Sequence, residues 1–281
     1  MIRTSRQLKA LVRNMSKGDS NKALVIIRNY AMERFLERLS LSPYRDNLIL
    51  KGGILVSAMV GLDNRSTLDI DATIKGLPLS VESAKRIVEN IVSIPIDDGM
   101  VFSITDADTI MSDADYAGVR IQLNTTLEKM QTPLKIDFST GDVITPREVA
   151  YSFKLMFEDR KLTVLAYNLE TILAEKLETL LSRSTANTRM RDFYDLYALE
   201  ESQSHNIDPT LLRTAFVKTC EQRGTIAIVN DAPMILDEVQ NSPVLMSLWK
   251  DYQRKFDYAT DISWDRVMES VRRFSFVVPS T

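Results

Sequence analysis

Apolar positions recur at helical spacing over residues 21–39 (NKALVIIRNYAMERFLERL), with Asp19-Ser20 ahead of them as a cap. Residues 47–50 form a short strand candidate that runs into Lys51-Gly52-Gly53. A second helical stretch, 54–60, follows and is closed by Gly61. Residues 68–74 alternate strictly and predict a strand, and 81–94 predict an amphipathic helix stopped by Pro95. Residues 101–105, 119–124 and 134–139 read as further strands, and 151–157 with 162–166 as a hairpin. From Asn168 the pattern is helical almost to the end, with breaks near 184–188, 206–209 and 224–233. Strands gathered in one half and helices in the other predict an α+β fold. The expected organisation is a mixed sheet with N-terminal and flanking helices over residues 1–160, then a helical domain over 161–281.

Composition narrows the class. The chain has 281 residues, 44% hydrophobic and 26% charged, as expected of a soluble globular protein. No apolar run approaches the roughly 20 residues that cross a bilayer. The first residues lack a signal-peptide pattern, so the expected compartment is the cytoplasm. Cys220 is the sole cysteine and cannot form an internal disulfide, in keeping with a reducing environment. With His205 as the sole histidine, a Cys/His zinc site is excluded. Any metal would be held by oxygen, which favours Mg2+ or Mn2+.

A net charge of -3 gives no general basic footprint for nucleic acid. The charge is nevertheless uneven. Residues 1–38 hold nine Lys/Arg against three acids, and residues 97–115 hold six Asp and no base. Such runs read as solvated surface or, more sharply, as a basic arm that steers an anionic polymer.

Asp-x-Asp occurs at 69/71, 106/108 and 113/115, so the spacing alone distinguishes none of them. The first pair lies on a predicted strand, where side chains two apart leave one face. Two anions held together call for a cation between them. Upstream, the strand at 47–50 breaks at Gly52-Gly53 before a helix, a turn where backbone N–H groups can approach a phosphate. The pairs 106/108 and 113/115 lack such an element and are expected to be acidic loops. On the strand at 134–139, Leu134, Ile136 and Phe138 face one side and Lys135 and Asp137 the other. Beside the first strand, Asp137 would complete a three-carboxylate cluster able to hold two metals; otherwise it is an exposed strand residue.

Two charge anomalies follow in the helical half. Lys176 falls inside a stripe of Leu169, Ile172, Leu173, Leu177, Leu180 and Leu181, where a lysine must snorkel or meet an anion such as a nucleotide phosphate. Asp192 shares a face with Leu196 and Leu199, and Asp195 lies at its edge. Either could serve a site, or pair with Arg189, Arg191 or Lys176 and tie helices together.

Lys51-Gly52-Gly53, Arg65-Ser66-Thr67-Leu68-Asp69-Ile70-Asp71, Ala174-Glu175-Lys176-Leu177 and Arg191-Asp192-Phe193-Tyr194-Asp195-Leu196-Tyr197 resemble, in order, the motifs of the AbiEii/AbiGii toxin nucleotidyltransferases. The resemblance spans about residues 20–200 and implies a polymerase-beta-like nucleotidyltransferase fold. It further implies a phage-defence toxin of a type IV toxin–antitoxin pair, with an antitoxin encoded nearby. Such enzymes move nucleotides from NTPs onto RNA with Mg2+ or Mn2+, the tRNA 3′ end being a substrate of some. Carried over by position, Gly52 and Gly53 shape the phosphate turn, and Asp69 and Asp71 bind metal. Lys176 contacts the nucleotide, Asp192 is the last catalytic motif residue, and Arg65 contacts phosphate. Asp137 fits the wider fold as a further metal ligand. The second glycine is often Ser in this fold, and the last 80 residues match no known motif. Two other readings stay open: a protein or small-molecule acceptor, and a non-catalytic nucleotide- or partner-binding module.

Overall fold

The computed structural model describes residues 1–110, 117–274 and 277, so the Asp113/Asp115 pair lies outside the described residues. The chain divides into two compact units. One comprises residues 1–58, 66–142 and 149–166; the other comprises 59–65, 143–148 and 167–281.

The first unit is built on a seven-stranded mixed sheet. In chain order its strands are β1 (Leu48–Lys51), β2 (Asp69–Ile74), β3 (Met100–Ile110), β4 (Gly118–Leu127), β5 (Met130–Ser139), β6 (Val149–Lys154) and β7 (Lys161–Ala166). Their order across the sheet is β3-β4-β5-β2-β1-β7-β6. β2 runs parallel to β5, and β1 parallel to β7; the other neighbours are antiparallel. Alternation in the sequence becomes two unlike faces. Ile70, Ala72, Ile121, Leu123, Leu134, Ile136 and Phe138 are buried, while Lys135 and Asp137 between them are not. Helix α2 (Ser20–Leu41) lies against β5 and β7, and α4 (Val81–Val92) against β3 and β4. Asp19 caps α2 by accepting the N–H groups of Asn21 and Lys22, as its position predicts. A shorter helix, α1 (Ser5–Ser16), begins with a Thr4–Gln7 capping box and packs on α2.

Two expectations from charge need correction. The basic run is not a uniform solvated arm: Arg34 and Arg38 are buried in ion pairs. Arg34 Nη1 donates to Glu37 at 2.6 Å, and Arg38 grips both oxygens of Asp98 at 2.7 and 2.9 Å. Helix α2 is buried on every side from Asn29 to Leu39, so charges on it must find partners within the protein. The acidic run supplies one of them, Asp98 for Arg38, while Asp97 pairs at the surface with Arg3, ahead of α1. Asp106 and Asp108 are not in a loop either. They lie on β3, an outermost strand, beyond a bulge between Ile104 and Asp106. Their exposed side chains suit a strand edge facing water.

The second unit is helical: α5 (Leu169–Arg183), α6 (Met190–Gln203), α7 (Pro209–Gln222), α8 (Ile228–Gln240), α9 (Pro243–Lys255) and α10 (Trp264–Arg273). The break expected near 224–233 is shorter than predicted, because Pro233 sits inside α8. Packing of Val229, Ala232, Leu236 and Val239 holds that helix together despite the lost N–H. Among the described residues no helix is long and apolar enough to cross a membrane.

Candidate active site

The less buried face of the sheet carries the charged row of the first unit. Register places Lys51 opposite Asp71, Asp71 beside Asp137, and Asp137 opposite Arg120. One row across β1, β2, β5 and β4 therefore reads cation, anion, anion, cation. Asp69 leaves the same face one pleat away, beside Lys135. The unlike neighbour between them, Ile70, is buried in the core.

The strand end of β1 turns sharply at Gly52, whose φ is +64°, and helix α3 (Gly52–Val60) begins there. Asp71 fills the space this turn leaves. Gly53 N donates to Asp71 Oδ2 at 3.3 Å, and a β-carbon on residue 52 would stand 2.2 Å from that same oxygen. Burial, and next the negative charge of Asp137, push the Asp71 carboxyl up to about 6, against the Gly53 N–H and the charge of Lys51. Lys51 is itself fixed: Asp142 Oδ2 accepts from Lys51 Nζ at 2.7 Å and from the hydroxyls of Thr73 and Ser139, both at 2.6 Å. Burial opposes the Asp142 charge, but these partners hold its carboxyl below the usual range.

The expected three-carboxylate metal cluster does not form. Arg120 takes Asp137 in a fork, with Nε to Oδ1 at 2.8 Å and Nη2 to Oδ2 at 2.6 Å. Among the described residues, no group of three carboxylate, His or Cys side chains is arranged to hold a metal ion. The remaining pair, Asp69 and Asp71, fits a divalent ion in charge and in oxygen chemistry. Burial first, and then the charge of Asp137, raise the Asp71 carboxyl, a cost to its charged form that a cation would offset. Further ligands would have to come from substrate or water.

In the second unit four charges close on one another. Asp195, fully buried, accepts from Arg65 Nε at 2.6 Å and Nη2 at 3.3 Å, and pairs with Lys176 Nζ at 2.7 Å. Lys176 Nζ also donates to Asp192 Oδ1 at 2.8 Å. Burial works against the charges of Lys176 and Asp195, but the pairing prevails: Lys176 is raised by Asp192 and Asp195, and Asp195 is lowered by Lys176 and Arg65. Arg65, expected at a phosphate, is a buried partner of Asp195, because its side chain is 2% exposed and its fork is spent on that carboxylate. Lys176 meets an anion, as an apolar stripe demands, and the anions are the protein's own.

The model of the family "Nucleotidyl transferase AbiEii toxin, Type IV TA system" matches residues 34–270. The chain belongs to the AbiEii nucleotidyltransferase toxin family. The family match starts inside α2 and ends inside α10, so it takes in most of the last 80 residues that carry no motif of their own. Among curated proteins no relative matches. Two solved structures from Helicobacter pylori are similar. JHP933 is 17% identical with a TM-score of 0.49, over 89% of this chain and 91% of that one. A protein described as a "putative nucleotidyltransferase" is 18% identical with a TM-score of 0.47, over 88% and 93%.

Within this AbiEii chain, the motif order gave no role to Arg120, Asp142 or Lys51 and ranked Asp195 below Asp192. Arg120 and Asp142 carry no local signal, since only strand register brings them to the row. Asp195 had one: an acid three residues after Asp192 and one before Leu196 lies close to the apolar stripe.

Proposed function

We propose that this AbiEii-family protein transfers a nucleotide from an NTP to the 3′ hydroxyl of RNA, the tRNA 3′ end being the expected acceptor. The observation that carries the reading is Asp69 and Asp71 leaving one strand face, with Asp71 seated on the Gly52–Gly53 turn. In this reading Asp69 and Asp71 hold Mg2+ or Mn2+, which supplies charge neutralisation at the triphosphate. The acceptor oxygen attacks the α-phosphorus, the bond to the bridging oxygen breaks, and pyrophosphate leaves. Lys176 would contact the nucleotide. An ammonium has three N–H donors, and two are directed at Asp192 and Asp195, which leaves one for a phosphate oxygen. Asp192 would fix that ammonium and take part in the last catalytic motif, while Asp195 and Arg65 would hold both in place. An antitoxin partner follows from the family; cytoplasmic action and a role in phage defence are part of the same proposal.

The experiment offers α-labelled NTPs with Mg2+ to the protein, together with separate pools of tRNA, protein and small molecules. Label should enter tRNA and vanish in Asp69→Ala, with the melting temperature kept. Label in the protein or small-molecule pool instead, or equal label with Asp69→Ala, sinks the proposal.

A further inference from the structure

Asp71 and Asp137 lie side by side in the row, flanked by Lys51 on one side and Arg120 on the other. The flanks differ. Lys51 is a point charge anchored away on Asp142 at 2.7 Å, whereas Arg120 covers both oxygens of Asp137 at 2.8 and 2.6 Å. A guanidinium fork matched to a carboxylate takes one lone pair on each oxygen and sets a fixed positive charge where a metal would sit. Asp137 thus has both oxygens engaged by a guanidinium, and Asp71 does not.

We propose that Arg120 is a positioning residue standing in for a second metal ion: it locks Asp137, so the nucleotide-free protein binds one divalent ion, on Asp69 and Asp71. This rests on the reading of Asp69 and Asp71 as metal ligands. It separates two roles that the sequence merges, since Asp137 lies in the carboxylate row but is withheld from coordination. Arg120 is 38% exposed, so its removal opens Asp137 to solvent and ions without emptying a core.

The test is a Mn2+ titration of the full chain without nucleotide, read as free Mn2+ by electron paramagnetic resonance, with melting curves as a folding control. The parent should bind one ion, and Asp137→Asn should keep that one ion, with affinity lowered by no more than about tenfold by the Arg120 charge left unpaired. Arg120→Met should add a second ion or tighten binding about tenfold, as expected when a compensating charge a few ångströms away is removed. Combining Arg120→Met with Asp137→Asn should abolish the gain. Two ions on the parent, loss of binding in Asp137→Asn, no gain in Arg120→Met, or the same gain with Asn at 137 each overturn the proposal. Should Arg120→Met fail to fold, the Asp137→Asn result still decides it. Unchanged Mn2+ binding in Asp69→Asn would instead remove the metal reading of Asp69 and Asp71 itself.

Discussion

Glycine at 52 and the seat of Asp71 are one feature, because a β-carbon on residue 52 would overlap the Asp71 carboxylate at 2.2 Å from Oδ2. A glycine turn ahead of a helix is usually read as room for phosphate. Here part of that room belongs to a side chain from the neighbouring strand.

Gly52→Ala should therefore damage the site more than the fold. The positive φ costs about 1 kcal/mol for a residue with a β-carbon, while displacing Asp71 by an ångström can cost about 100-fold in rate. Nucleotidyl transfer measured with labelled NTP should fall on that scale, with a melting temperature lowered by only a few degrees. Full activity in the alanine variant would show that Asp71 does not depend on this turn.

Asp71→Asn should separate stability from activity. The folded carboxyl sits at about 6, above its ordinary value of 3.8, so between those values the folded chain binds more protons than the unfolded one. Stability linked to this group is full below about pH 3.8 and is lost as pH rises through about 6. In EDTA, the asparagine variant should melt higher than the parent at pH 7 and show a flatter profile between pH 4 and 6, with transfer abolished. A lower melting temperature at pH 7 would contradict the cost that burial, and then Asp137, place on the Asp71 charge.

Glu33 offers the same test away from the site. Burial pushes its carboxyl up to about 8, although Oε1 accepts from Met156 N at 2.9 Å and from Asn29 Nδ2 at 3.2 Å. Its ordinary value is 4.5, so its stabilising effect is complete below that and disappears as pH rises through about 8. Gln at 33 retains the accepting oxygen and cannot ionise. Glu33→Gln should match the parent near pH 4.5 and exceed it in urea midpoint at pH 8.5.

The buried cluster of the helical unit predicts an order. Asp195→Ala leaves Arg65 and Lys176 without their shared carboxylate and should cost about 3–5 kcal/mol in urea unfolding. Asp192→Ala leaves Lys176 still paired with Asp195 at 2.7 Å and should cost less. Equal losses would mean that Asp195 is not the hub.

Much of this was legible in the residues. Alternation placed β2 and β5 and their two faces, and the strand–Gly-Gly–helix pattern singled out Asp69 and Asp71 from the other Asp-x-Asp pairs. Lys176 announced its need for an anion by lying among leucines. What stayed hidden depends on pairing across the sheet. Nothing local tells Arg120 that its opposite number is Asp137, and a shift of one residue would turn both to the other face. The buried Arg65 escaped because its partner Asp195, on a helix, is 130 positions away.

Among the described strands β3 is outermost, and it carries exposed Asp106 and Asp108 along its length. Unpaired N–H and C=O groups there could template a further strand. A second copy adding itself in register would press its own carboxylates against these. Such repulsion discourages the growth of ribbons from that end.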